Sequence, residues 1–222
     1  MKYTSAFDII GPVMVGPSSS HTAGANRIGR VARKLLGTHP ERAACRFMGS
    51  FAETYRGHGT DLAVVAGICG MSAADPNIPM AFDVAREAGV EVSIATEAVG
   101  LYHPNTVSIA LSAGFEAVAL IGSSLGGGKI EIVEIDGFPV RLSGDRIGLV
   151  IWHTDSPGFA ASVLRLAAES ATNVARLTVE RARRGGHALS AMEFDGPVRV
   201  PLIDGMHRLL AETVRYRWID VV

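Results

Sequence analysis

Three short stretches gather the side chains that can move protons or hold an anion. Residues 16–22 read GPSSSHT, residues 56–61 read RGHGTD, and residues 102–106 read YHPNT. Each has a histidine beside small, hydroxyl or amide residues. Imidazole is the side chain best suited to proton transfer near neutral pH. In the first stretch Ser18, Ser19 or Ser20 can cap the helix that follows by accepting from its free amides. One serine suffices for that. The further hydroxyls, with His21 and Thr22, are enough to cradle a small anion at the positive end of the helix dipole.

In the second stretch, glycines flank His58 and let the backbone turn sharply ahead of Thr60 and Asp61. A surface turn with a capped helix behind it accounts for the same residues. In the third, Pro104 holds His103 and Asn105 in one relative orientation before a strand. An ordinary loop accounts for that one too. Three histidines at three chain breaks nevertheless make a composite site worth seeking. His39 reads as surface, and His187 and His207 have no polar cluster around them. Neither GxSxG, HExxH nor CxxC occurs, so the residues support no hydrolase elbow and no metal site.

The elements that must position these residues follow from periodicity. Ala23, Ile28, Val31, Ala32, Leu35 and Leu36 form one apolar stripe, predicting a helix over 18–36 that Gly37 ends. A strand is expected at 43–51, a turn at 57–59, a second helix from Thr60 and a third from Pro79 to about Gly89. Strands then follow at 90–96, 106–113, 116–121, 129–135 and 138–142, the last two joined by an Asp136-Gly137 hairpin turn. Gly126, Gly127 and Gly128 make a turn between strands and lack the context of a dinucleotide loop.

Beyond a boundary near 143–147 the pattern changes. A strand leads into HTDSPG (153–158), a turn whose amides can hold a small carboxylate or the edge of a partner domain, though a well-capped turn accounts for it equally, and a helix starts at Pro157. Strands at 172–181 and 187–194, a helix at 201–210 and a strand at 213–221 complete a βαββαβ order, the ferredoxin-like arrangement. The expected fold is α+β, with an α/β domain over 1–145 and a ferredoxin-like domain over 146–222.

The chain has 222 residues, 48% hydrophobic and 19% charged, with a formal net charge of -1. A packed core is expected, and no global field attracts nucleic acid or anionic lipid. Arg181, Arg183 and Arg184 read as a solvated element end rather than a nucleic-acid patch. Residues 1–10 lack the pattern of a signal peptide, and no apolar run is long enough to span a membrane. Cys45 and Cys69, both in apolar surroundings, read as buried thiols of a reducing, cytoplasmic protein.

GPSSSHTAGANRIG, GSFAETYRGHGTDLA and HPNTV, in that order, resemble the iron–sulfur-dependent L-serine dehydratases, and specifically the β chain of their two-chain bacterial form. HTDSPGF within the βαββαβ pattern resembles an ACT domain, a regulatory module of amino-acid enzymes. The first domain is also similar to the allosteric substrate-binding domain of some phosphoglycerate dehydrogenases. The resemblance implies conversion of L-serine to pyruvate and ammonia. It implies a [4Fe–4S] cluster ligated by a separate α chain and not by this chain, which alone is inactive. It further implies that His21 and His103 are catalytic, with His21 preferred as the base for the Cα proton. Ser18, Ser20, Thr22, His58, Thr60 and Asn105 are the implied substrate-binding residues. A homodimer through the ACT domain is expected for the isolated chain. The other reading is an amino-acid-sensing module with no direct catalytic role.

Overall fold

The computed structural model describes residues 12–97, 103–210 and 215–222. The chain divides into two compact units at the turn between Gly137 and Phe138.

The first unit begins with a π-helical turn, Ser19–Gly24, that runs into helix α1, Ala25–Leu36. The apolar stripe predicted for α1 is buried, with Ile28, Val31, Leu35 and Leu36 at 0–1% exposure. Gly37 ends the helix in a left-handed conformation, donating its amide to Arg33 O. Strand β1, Arg42–Met48, follows. The sequence reading carried this strand to Phe51 and placed only a turn at 57–59. The structure instead forms a helix, α2, over Ser50–His58, and Phe51 is buried in its first turn. Gly49 makes the switch possible. Its φ is +56°, and a Cβ there would stand 2.6 Å from Pro104 O, so neither the dihedral nor the space admits a larger residue. A single left-handed glycine, Gly59, then joins α2 to α3, Thr60–Ile68. A short 3₁₀ turn at Ile78–Met80 introduces α4, Ala81–Glu87.

Strands β2 (Glu91–Glu97), β3 (Thr106–Ala113), β4 (Glu116–Gly126) and β5 (Lys129–Ile135) join β1 in a sheet of order β2-β1-β3-β4-β5. Only β1 and β2 pair in parallel among the registers described, as their helical crossover requires. Alternate residues of β1, β3 and β5 are buried: Ala43, Cys45 and Phe47; Val107, Ile109 and Leu111; Ile130 and Ile132. The other face carries Ala44, Ser93, Ala110, Ser112, Ala117 and Ala119 around an open depression of about 520 Å³. No histidine lines it.

The second unit contains β6 (Phe138–Leu142), β7 (Ile147–Thr154), α5 (Phe159–Glu169), β8 (Asn173–Arg181), β9 (His187–Asp195), α6 (Val200–Leu210) and β10 (Arg215–Ile219). Its sheet order is β10-β7-β9-β8. This is the ferredoxin-like arrangement that the βαββαβ order predicts. Leu149, Ile151, Met192 and Phe194 of the sheet pack on Val163, Ala167, Leu202, Met206 and Leu210 of the two helices. Residues 213 and 214, where the last strand was expected to begin, lie outside the described residues. No helix among the described residues is long and apolar enough to cross a membrane.

Candidate active site

Ser18 is the cap of the first turn. Its Oγ accepts from the His21 amide at 3.3 Å and lies 3.3 Å from His21 Nδ1. The other ring nitrogen, Nε2, is 3.0 Å from Thr54 Oγ1 on α2. Phe51 and His58, also on α2, flank the ring at centroid distances of 5.1 and 4.7 Å. His21 is therefore half-buried and held on both sides. Burial first, and then the neighbouring His58 imidazole, push its pKa below the ordinary histidine value. A ring in that state stays neutral and able to accept a proton near pH 7.

His58 is exposed at the last residue of α2, and its Nδ1 donates to Thr54 O at 3.4 Å. It lines a cleft of about 290 Å³ with Gly16, Thr22, Arg56, Gly57 and Gly59. Thr22 is 1% exposed and its Oγ1 has no hydrogen-bond partner among the described residues. An unpartnered buried hydroxyl costs about 1–3 kcal/mol, and a ligand oxygen in the cleft would relieve it. Thr60, directly after Gly59, is fully buried, and its Oγ1 is likewise unpartnered. Desolvation raises the carboxyl of the next residue, Asp61, above its ordinary range, against the smaller opposing effects of its amide hydrogen bonds and Arg56.

The third stretch reaches the same region through the backbone. Pro104 O accepts from the Phe51 amide at 3.3 Å, and Asn105 O accepts from Ser124 N at 2.8 Å. Ser124 in turn lies against Gly24, where a Cβ would stand 2.1 Å from its Oγ. The loop after His103 is thus tied to both ends of the first cluster. His103 is exposed, and its Nδ1 accepts from the Asn105 amide at 3.2 Å. Thr106 anchors the loop, donating to His103 O at 2.5 Å and meeting Ser123 Oγ at 2.7 Å. Ser20 is half-buried near the Gly126 turn, where a Cβ would stand 3.7 Å from its Oγ. Tyr102 lies outside the described residues.

The sequence reading missed Thr54 and Phe51, because it gave this segment no helix. One signal was present: Ser50, Thr54 and His58 recur every four residues, the spacing of one helix face.

The cysteines are unsuited to iron. Cys45 is 2% exposed on β1, and burial pushes its thiol up to about 12. Cys69 caps α3, and desolvation raises its pKa too, against a smaller lowering by Arg33. Metal ligation needs the thiolate. No group of three or more His, Cys, Asp or Glu that could hold a metal stands among the described residues. These residues do not fit as ligands of an iron–sulfur cluster.

A family model described as serine dehydratase beta chain matches residues 5–99. The chain is 46% identical over 209 residues to a probable L-serine dehydratase, beta chain, of Bacillus subtilis (strain 168), covering 94% of this chain and 95% of that one. It is 37% identical over 196 residues to the L-serine dehydratase, beta chain, of Peptoniphilus asaccharolyticus, covering 87% and 88%. It is also 23% identical over 175 residues to a D-3-phosphoglycerate dehydrogenase of Synechocystis, covering 78% of this chain and 32% of that protein. Two α+β units with a histidine cluster at a helix start, and matches of this extent, define a dehydratase-type subunit. The chain belongs to the serine dehydratase β-chain family.

Proposed function

We propose that this chain is the β subunit of an L-serine dehydratase, converting L-serine to pyruvate and ammonia together with an α chain. The observation that carries the reading is His21, neutral and half-buried between two hydroxyls, next to a histidine that lines a cleft with an unpartnered threonine. In this reading His21 takes the proton from Cα of serine. The electron pair of that C–H bond becomes the second Cα–Cβ bond, and the Cβ–O bond breaks; the departing hydroxide takes up one proton, balancing the one His21 removed, and leaves as water. Aminoacrylate results, tautomerises to the imine, and is hydrolysed by one water to pyruvate and ammonia.

His103 is assigned a binding role, because it is exposed where His21 is half-buried. Its Nδ1 lone pair is engaged by the Asn105 amide, so the neutral ring carries its proton on Nε2 and acts as a donor. With Asn105 it is assigned to the polar atoms of the substrate. Thr22, with Ser18 and Ser20 at the helix start, is assigned to the substrate carboxylate. His58 forms part of the wall of the cleft, and buried Thr60 follows the lining residue Gly59.

Assistance to the departing hydroxide is assigned to the α chain, together with the [4Fe–4S] cluster that the family resemblance implies. Residues 146–222 are assigned as an ACT domain. The outermost strands of its sheet, β8 and β10, are where a homodimer of the isolated chain would pair, and light scattering would detect it. A cytoplasmic setting suits the two free thiols. The test of the catalytic reading is anaerobic reconstitution with the α chain. Serine-dependent pyruvate is expected from the native pair. With His21→Ala, assembly should survive while turnover falls on the order of 100- to 10,000-fold, the usual contribution of a positioned base. Full turnover in that variant would remove His21 from catalysis.

A further inference from the structure

We propose that Thr54 is a positioning residue that fixes the proton of neutral His21 on Nε2 and so makes Nδ1 the basic nitrogen. The inference rests on the reading of His21 as the base, and it starts from a count of protons. A threonine hydroxyl has one hydrogen to give and two lone pairs to offer. Thr54 Oγ1 gives its hydrogen to Ser50 O, one helical turn back, at 2.6 Å. Only lone pairs remain for the contact of 3.0 Å with His21 Nε2. Two acceptors cannot hydrogen-bond each other, so Nε2 bears the hydrogen.

The lone pair of neutral His21 then sits on Nδ1, facing Ser18 Oγ at 3.3 Å. Ser18 Oγ already accepts from the His21 amide, which leaves its own hydrogen for Nδ1. The chain of donors runs one way: Ser18 hydroxyl to Nδ1, Nε2–H to Thr54, Thr54 hydroxyl to Ser50 O. At Nδ1 the one hydroxyl contact among the described residues is the long one to Ser18, the weaker of the two that hold the ring. That is the contact a substrate C–H would replace, whereas the shorter one to Thr54 stays in place.

Thr54 also orders the second imidazole. Its carbonyl accepts from His58 Nδ1 at 3.4 Å, so one residue orients both rings through different atoms. Their centroids stand 4.7 Å apart with planes inclined by 33°. A back-bonded threonine of this kind is an ordinary helical feature. What sets this one apart is that one of its lone pairs is spent on an imidazole from another element.

The test reads the proton directly. In the ¹⁵N-labelled chain, held above the ordinary histidine pKa, long-range ¹H–¹⁵N correlation distinguishes the two neutral tautomers. The His21 signals are assigned by their loss in His21→Gln. The native chain should show His21 protonated on Nε2, and Thr54→Ser should preserve that. Thr54→Val should give a mixture of tautomers. In the reconstituted enzyme, Thr54→Val should lower kcat roughly 10- to 100-fold with KM within about twofold, and Thr54→Ser should restore most of it. A native His21 protonated on Nδ1 would overturn the inference without any variant. So would Thr54→Val with native kcat in a background where His21→Ala is inactive, and that result would leave His21 as the base. A fully active His21→Ala would instead fail the underlying reading, while the tautomer spectrum would still report on Thr54.

Discussion

Each unit holds one histidine withdrawn from solvent, and the two are wired in opposite senses. His153, on β7, is 7% exposed. Its Nδ1 donates to Thr154 O at 3.0 Å, its Nε2 accepts from Ser190 Oγ at 2.9 Å, and Phe159 stacks on its face at 3.8 Å. Both nitrogens are satisfied by short bonds, and the ring is part of the wall between sheet and helix. His21 has its hydrogen on the other nitrogen, a long contact at the basic one, and a second imidazole beside it. Burial lowers the pKa of both. For His153 the bond to Thr154 and the charge of Asp155 oppose that lowering, while for His21 the neighbouring His58 adds to it. A depressed pKa therefore does not separate a structural histidine from a reactive one. What differs between them is the contact at the lone pair, 2.9 Å from Ser190 for His153 and 3.3 Å from Ser18 for His21.

Exchanging the two losses would break this comparison. His21→Ala should cost reconstituted turnover the 100-fold or more expected of a base and should leave folding nearly intact. His153→Ala should do the reverse. It leaves Ser190 and Thr154 without their partner and a gap under Phe159, at a cost of about 2 kcal/mol or more in urea unfolding, with turnover within about twofold. If the second variant were the inactive one, the roles assigned here would be inverted.

A smaller effect sharpens the first half. Thr22→Val keeps the shape of a buried residue whose hydroxyl has no partner. Thermal stability should hold or rise slightly. KM for serine should rise about tenfold if the hydroxyl waits for a carboxylate. An unchanged KM would leave Thr22 a packing residue.

The smallest effect concerns acid. Both rings have folded pKa values below the ordinary histidine value of about 6.5, so folding favours the neutral forms. Above that pH neither state binds the extra proton and stability is level on this account. As pH falls through 6.5 the unfolded chain protonates first, and stability drops until the folded values are reached. Urea midpoints followed from about pH 8 to about pH 5 should show that decline, and it should be shallower in His153→Ala. An identical slope would mean that His153 does not contribute.

Much of this was readable from residue patterns. The stripe over Ala23 to Leu36, the cap at Ser18 and the glycine stop at Gly37 are local signals, and local physics satisfies them. The alternating strands and the βαββαβ order are equally direct. Helix α2 was not legible. Phe47, Met48 and Phe51 continue a strand-like apolar run, and Gly57 lies inside the helix, where a reader expects a turn. What decides the matter is distant in sequence: Gly49 fits under Pro104, and Phe51 packs against Phe47 and His21. Thr54 was hidden for the same reason. Without the helix, nothing brings Ser50, Thr54 and His58 onto one side.

The turn that carries His21 has a further consequence. Ser19–Gly24 is π-helical while the residues after it are α-helical. A π turn accommodates one residue more than the regular ladder, so Ser18 and the chain before it are out of phase with α1. Removing any one residue there would restore the regular pitch and swing the preceding chain by about 100°. The aim of the imidazole is thus written in chain length as much as in side chains. A substitution in this turn can be repacked around, but a one-residue deletion turns the cap away from the ring it holds.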